Sequence, residues 1–260
     1  MTAGFSFPDW LSLFFFSFFL VLAWLRPLEW SRRVHATALG VAGIALLALF
    51  PFRSILPLIL IPIAYWQTGQ FTAPVNKSVQ RWLAEFDRRI FTAWRGISLP
   101  AWLRRGLMVY LECAYLLVYL MVPSGLAVLY FAGAIGHVSE FWTVILPPAY
   151  FCYATLPFLR TLPPRALEHG QEWNHLRSGV RSFNLVVVRL VTHEANTFPS
   201  GHAAAAVAVA LEVARHEPSA GGVYLVLATS IVLGAFVARY HYAVDVLLGA
   251  ALASISFLVS

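Results

Sequence analysis

Between Trp10 and Leu25 the chain carries no charged side chain, and the same is true from Gly222 to Ala238. Apolar runs of this length restrict the fold more than anything else in the sequence. A hydrocarbon core takes roughly 20 apolar residues of helix, with about 17 to 25 tolerated. Only 12% of the residues are charged, against about 25% in ordinary globular domains, and mean hydropathy is +0.72. The first basic residue, Arg26, follows the first apolar run. A secretory signal needs positive charge before such a run, so 10–25 reads as a membrane helix that stays.

Further candidate spans are 34–50, 107–132, 141–159, 201–215, 222–238 and 242–259. The segment 55–67 is short and carries Pro57 and Pro62. It reads as a kinked crossing, with a re-entrant piece as the alternative. The expectation is an all-α, polytopic transmembrane helical bundle with about 6–8 membrane segments and an active site at one membrane face. Three regions follow: N-terminal membrane helices (1–68), a basic amphipathic interfacial segment (69–106), and a catalytic helical bundle (107–260) that includes a catalytic loop, 160–199. Within 69–106, Val79, Trp82, Leu83, Phe86, Ile90 and Trp94 fall at helical spacing, with Arg81, Arg88, Arg89 and Arg95 among the polar positions. That pattern suits a helix lying in the headgroup plane.

The net charge of +6 has no soluble basic face to carry it. That argues against nucleic acid and for lipid headgroups and phosphate as the anionic partners. Cys113 and Cys152 lie far apart in apolar segments without a CxxC spacing and are expected to be buried, inert thiols. In the catalytic loop, "LRTLPPRALE" sets a rigid, extended turn beside Arg160 and Arg165. The stretch 183–191 is too short to span and is expected to pack at the interface. His169, His175 and His193 form no tight ligand spacing and read as solvated loop histidines. Glu112, one turn inside an apolar helix, is expected to salt-bridge a loop arginine.

Two polar intrusions carry the chemistry. In "NTFPSGHAAAA", 196–206, Ser200 and Gly201 open a helix, where unpaired N–H groups and the positive dipole end meet and glycine permits close approach of an anion. A lone Ser-Gly is a plain N-cap, but a cap has no use for His202. In "ARYHYAVDVLLG", 238–249, His241 and Asp245 are four residues apart and share a helix face. A carboxylate on one imidazole nitrogen fixes the tautomer and sharpens the other as a nucleophile; a satisfied structural pair is the plainer alternative. Asp245 would cost roughly 2.5–3.5 kcal/mol at the centre of a membrane helix, so a partner is expected. Arg239 supplies a neighbouring cation. Together the intrusions describe an anion site with two histidines.

These motifs resemble the type-2 phosphatidic acid phosphatase and haloperoxidase superfamily, whose second signature is Pro-Ser-Gly-His and whose third combines an arginine with His-x-x-x-Asp. Pro199–His202 matches the second, and His241 with Asp245 the core of the third. The resemblance is best over about 150–260. The first signature, a lysine followed six residues on by Arg-Pro, is replaced by Arg160 and Arg165 around "TLPP"; the usual Ser-Arg of the third reads Gly234-Ala235, with Arg239 as the substitute. A compact "HY…D" is shared with inositolphosphotransferase-type lipid enzymes.

The resemblance implies that His241 attacks phosphorus and forms a phosphohistidine, that Asp245 orients it, and that His202 is the acid and then the base. Arg165, Arg239, Ser200 and Gly201, with Arg160 as a lesser candidate, would hold the phosphate oxygens. No metal or other cofactor is expected. The expected activity is hydrolysis of a lipid phosphomonoester or pyrophosphate. The alternatives are phosphoryl-headgroup transfer to an alcohol such as inositol and, in another class, an inactive lipid-binding or scrambling member. Peroxide chemistry on soluble halide fits a membrane bundle poorly. All Lys and Arg except Arg53 and Arg215 fall on loops of the catalytic side, so the expectation is an integral protein of the cell membrane whose catalytic face the positive-inside rule places in the cytoplasm.

Overall fold

The computed structural model describes residues 4–71, 73–168, 178–193 and 195–260. Among these the secondary structure is helical, with one isolated bridge, Thr161 to Asn196, that ties the two ends of the catalytic loop together. The helices are α1 (Phe7–Leu25), α2 (Trp30–Leu49), α3 (Leu56–Thr68), α4 (Lys77–Gly96), α5 (Ala101–Leu116), α6 (Val118–Phe131), α7 (Val138–Ala154), α8 (Pro164–Leu167), α9 (Gly179–Val191), α10 (Gly201–His216), α11 (Pro218–Val237) and α12 (Ala243–Val259).

The alanine-rich α10 is the centre of the bundle, packed against α6, α7, α11 and α12. Small side chains permit this, because helices in lipid associate by close packing rather than by hydrophobic burial. Gly249 on α12 shows how tight the fit is: a Cβ there would collide with the carbonyl of Ser200, the residue that opens α10. The N-terminal helices α1 and α3 pack against α7, and α2 lies on both of them.

Contacts distinguish two ends of the bundle. The Arg26 guanidinium lies over the Phe158 ring at 5.3 Å, which puts the α1–α2 turn beside the C-terminal end of α7. At the other end Arg53 pairs with Asp9 at 3.2 Å, and Trp142 Nε1 donates to the Ser54 carbonyl at 2.8 Å. Thus α3 runs from one end toward the other despite Pro62 within it.

Among the described residues α1, α2 and α11 are long and apolar enough to cross a membrane, and α5 with α6, bent by 59° at its break, adds a fourth if the pair is one broken span rather than a re-entrant loop. The other expected segments, α3, α7, α10 and α12, are 13, 17, 16 and 17 residues long, mostly at or below the lower bound for a straight crossing. The structure therefore supports an all-helical bundle with three to four such spans, and the larger count remains a reading of the sequence.

The expected apolar stripe of α4 is divided. Leu83, Asp87 and Phe91, spaced at i, i+4 and i+8, are the buried row, while Trp82, Phe86 and Ile90, one position earlier and so about 100° round the helix, are exposed on its flank. Two expectations are corrected. Cys113 is exposed, because α5 turns it away from the bundle, whereas Cys152 is buried. His193 is not a solvated loop residue: its ring packs on Tyr65 and Trp66, and its N–H donates to the Tyr65 hydroxyl at 2.9 Å. His169 and His175 lie outside the described residues. Glu112 does pair with an arginine of the 160–199 segment, Arg181, at 2.7 Å, but that residue lies on helix α9 rather than in a loop.

Candidate active site

The two polar intrusions meet. Ser200 caps α10, its side-chain oxygen accepting from the Ala203 N–H at 3.3 Å, and its own N–H donates to the Asp245 carbonyl at 2.9 Å. This hydrogen bond couples the opening of α10 to the first turn of α12. As a result His202 Nδ1 faces His241 Nε2 at 3.4 Å.

Behind His241, Asp245 Oδ2 accepts from Asn196 Nδ2 at 2.7 Å and from the Tyr242 N–H at 3.0 Å. His241 Nδ1 lies 3.5 Å from the same oxygen. That is an electrostatic contact a few tenths of an ångström outside a good hydrogen bond, and catalytic contacts of this kind often close only when substrate is bound. Burial, and then the positive Arg165, push His241 down to about 3, so the imidazole is held neutral.

Both histidines sit at the polar floor of a cavity of about 530 Å³. Its walls are largely apolar: Leu58, Ile61 and Pro62 from α3, Val118, Val122 and Pro123 from α6, and Val188, Leu190 and Val191 from α9. Its floor holds Arg165, Asn196, Thr197, Gly201, His202, Tyr240 and His241. The break between α5 and α6 turns Tyr115 and Tyr119 toward His202, with ring centroids at 5.4 and 5.7 Å.

The arginines separate. Arg165 lines the cavity. The turn that carries His241 positions it: the Arg165 N–H donates to the Arg239 carbonyl at 3.1 Å and Nη1 to the Tyr240 carbonyl at 3.0 Å. Arg239 is engaged elsewhere. Its Nη1 lies 2.6 Å from Asp87 Oδ2, Nε donates to Glu168 Oε2 at 2.9 Å, and its guanidinium covers the Phe91 ring at 4.1 Å. Burial opposes this charge, but Glu168 and Asp87 outweigh it and Arg239 is raised. Its backbone is left-handed, φ 65°, which costs a residue with a Cβ about 1–2 kcal/mol. The buried ion pairs and the Asp87 carboxylate, which also accepts the Ala243 N–H at 2.9 Å, offset that strain. Arg160 is pinned to the segment before α4, Nη1 donating to the Ala73 carbonyl at 3.3 Å. The structure thus brings His202, His241, Asp245, Arg165 and Gly201 together, leaves the Ser200 side chain in a cap, and holds Arg239 and Arg160 outside the cavity lining.

Several contributors escaped sequence reading. Asn196 fixes Asp245. The Tyr240 ring stacks on Tyr115 at 4.0 Å, and its hydroxyl donates to Glu112 at 2.8 Å. Gln80 on α4 hydrogen-bonds the Tyr242 hydroxyl and accepts from the Leu162 N–H at 2.7 Å, so α4 clamps the catalytic loop to the second motif. An acidic residue on the buried row of α4 was the available signal for Asp87.

The family comparison fits this geometry. The chain belongs to the PAP2 superfamily, whose family model matches residues 81–259, and its fold is that of phosphatase-type phosphoester hydrolases. The match begins inside α4, so the amphipathic helix is part of the family unit. Neither curated proteins nor solved structures match the chain significantly.

Proposed function

We propose that this protein is an integral membrane lipid phosphate phosphatase, acting on a lipid phosphomonoester or pyrophosphate. The observation that carries the reading is the pair of facing imidazole nitrogens, 3.4 Å apart, beside Arg165 on the polar floor of an apolar-walled cavity. Apolar walls suit a lipid tail, and the floor suits its phosphate.

In the proposed reaction the His241 Nε2 lone pair attacks phosphorus as the P–O bond to the lipid breaks. The leaving oxygen takes its proton from His202. Water then attacks the phosphohistidine, giving its proton back to His202, and the N–P bond breaks to release phosphate. Asp245 orients His241 through Nδ1. Arg165, whose planar fork stays charged, and the N–H groups at the opening of α10 stabilise the phosphoryl oxygens, which is most of what phosphoryl transfer asks of a protein. Arg239 supports the turn that presents His241 and Arg165.

A second reading, transfer to an alcohol such as inositol, draws on the side chains of Tyr65, Tyr119 and Tyr153, which line the same cavity and could orient an acceptor. Purified protein offered a panel of lipid phosphates, with and without inositol or glycerol, tests both. Free phosphate supports the phosphatase and a new lipid the transferase. Neither product from any substrate would leave an inactive lipid-binding member.

The catalytic end is proposed to face the cytoplasm. In a background lacking Cys113 and Cys152, Gly136→Cys is expected to label in intact cells with an impermeant thiol reagent, and Gly96→Cys at the basic end to be protected. No neighbouring atom crowds either glycine. The reverse pattern refutes the orientation.

A further inference from the structure

The end of α10 remote from His202 carries a second constellation. His137, in the turn before α7, and Glu140, in its first turn, are three residues apart; Glu212 and His216, on the last turn of α10, are four apart. Each pair shares a face, and the two faces meet. His137 Nδ1 lies 3.2 Å from Glu140 Oε2. His216 Nε2 lies 3.6 Å from that same oxygen and 3.3 Å from Glu212 Oε2. The two imidazoles are stacked, with centroids 4.4 Å apart.

Hydrogen bonding accounts for the His137–Glu140 contact but not for the approach of His216 and Glu212. His216 Nε2 and both Glu212 oxygens are buried and make no hydrogen bond, and the Glu212 side chain is fully buried. Arg215 is the only cationic side chain among the described residues paired with Glu212, at 3.2 Å. It is shared with the Phe257 carbonyl, the Ser260 hydroxyl and the Phe257 ring. The buried Glu212 carboxylate thus has one arginine, itself divided among three other groups.

We propose that His137, Glu140 and His216, whose donor atoms all lie within 4.8 Å of one another, form a divalent transition-metal site of the zinc type at the bundle end opposite the catalytic histidines, with water completing the coordination. Ligands 2.0–2.1 Å from a tetrahedral zinc stand about 3.3 Å from one another, and the His137–Glu140 and His216–Glu140 separations, 3.2 and 3.6 Å, bracket that edge. Imidazole and carboxylate are the donors such ions take. The cation would clamp the start of α7 to the end of α10, a role separate from phosphoryl transfer.

The test uses the full-length protein, purified in detergent, stripped with chelator and titrated with zinc chloride by calorimetry, with cobalt(II) as a visible probe of tetrahedral geometry. One zinc per chain is expected, with the intense ligand-field bands of tetrahedral cobalt. His137→Ala and Glu140→Gln, both at half-exposed positions and therefore tolerant of change, should each weaken zinc by more than about 100-fold, the upper range for mere outer-shell partners. Metal-free unfolding midpoints equal to wild type certify that the variants are folded. No stoichiometric zinc in the wild-type protein, or unchanged affinity in folded His137→Ala, overturns the site.

Discussion

Helix α10 presents a histidine at each end, His202 at its mouth and His216 roughly 21 Å along its axis at 1.5 Å per residue, and each meets a second histidine from another element. At the mouth the rings are tilted, 5.6 Å apart, beside Arg165 and the N–H groups of a helix start. At the far end the rings are stacked and share the Glu140 carboxylate, with Glu212 against His216 alone. On the two readings proposed above, the same side chain receives an anion in one place and a cation in the other. Imidazole does not decide what a site binds; the charges and dipoles packed around it do.

The largest expected effect is at the mouth. His241→Ala should abolish turnover and leave no acid-labile, base-stable phosphoenzyme. His202→Ala should slow turnover by about 10²–10⁴-fold, the usual contribution of a general acid–base, while still labelling with a substrate whose leaving group needs no proton. His216→Ala should turn over at close to the wild-type rate. Equal loss from His216→Ala and His241→Ala would erase the distinction between the two ends.

Next comes Arg239. Its replacement by alanine leaves Asp87 and Glu168 without their shared cation, and removing one partner of a buried pair costs about 3–5 kcal/mol. Thermal unfolding should register that loss. An Arg239→Ala protein with a wild-type midpoint but no turnover would return Arg239 to the phosphate, as the family resemblance implies. At the far end, zinc at 100 times its dissociation constant should stabilise the wild-type protein by about 2.7 kcal/mol and folded His137→Ala hardly at all.

The smallest effect is on pH dependence. His241 must be neutral to attack, and its lowered pKa keeps it neutral as pH falls. The acid limb of kcat/KM should therefore lie well below the histidine reference near 6.5. Arg165 contributes to that lowering, so the residual activity of Arg165→Ala should show an acid limb moved to higher pH. An acid limb at 6.5 in both proteins would contradict the environment described for His241.

The parts of the site legible in the sequence are those whose partners lie within one helical turn. Ser200 and Ala203 form a cap, and His241 and Asp245 share a face, by spacing alone. The arginines were not separable in this way. Arg160, Arg165 and Arg239 are equivalent as charges, and only packing brings Asp87 from α4 and Glu168 from the catalytic loop onto Arg239. Likewise His193 reads as a loop residue until α3 places Tyr65 and Trp66 against it. Each half of the far-end cluster is visible as a local pair, but nothing local says that the halves meet.

The sequence by itself determined that the chain is a bundle of apolar helices, that two of them open on a histidine, and that the family's second and third signatures are present. Periodicity and helix-end chemistry act over a few residues and are written in order along the chain. The tertiary structure alone decided which arginine lines the cavity, which residue steadies Asp245, and that two carboxylates meet the histidine at the far end of α10. Those outcomes depend on charges from distant segments meeting in a medium of low dielectric, where a neighbour at 3 Å governs and its position in the sequence does not.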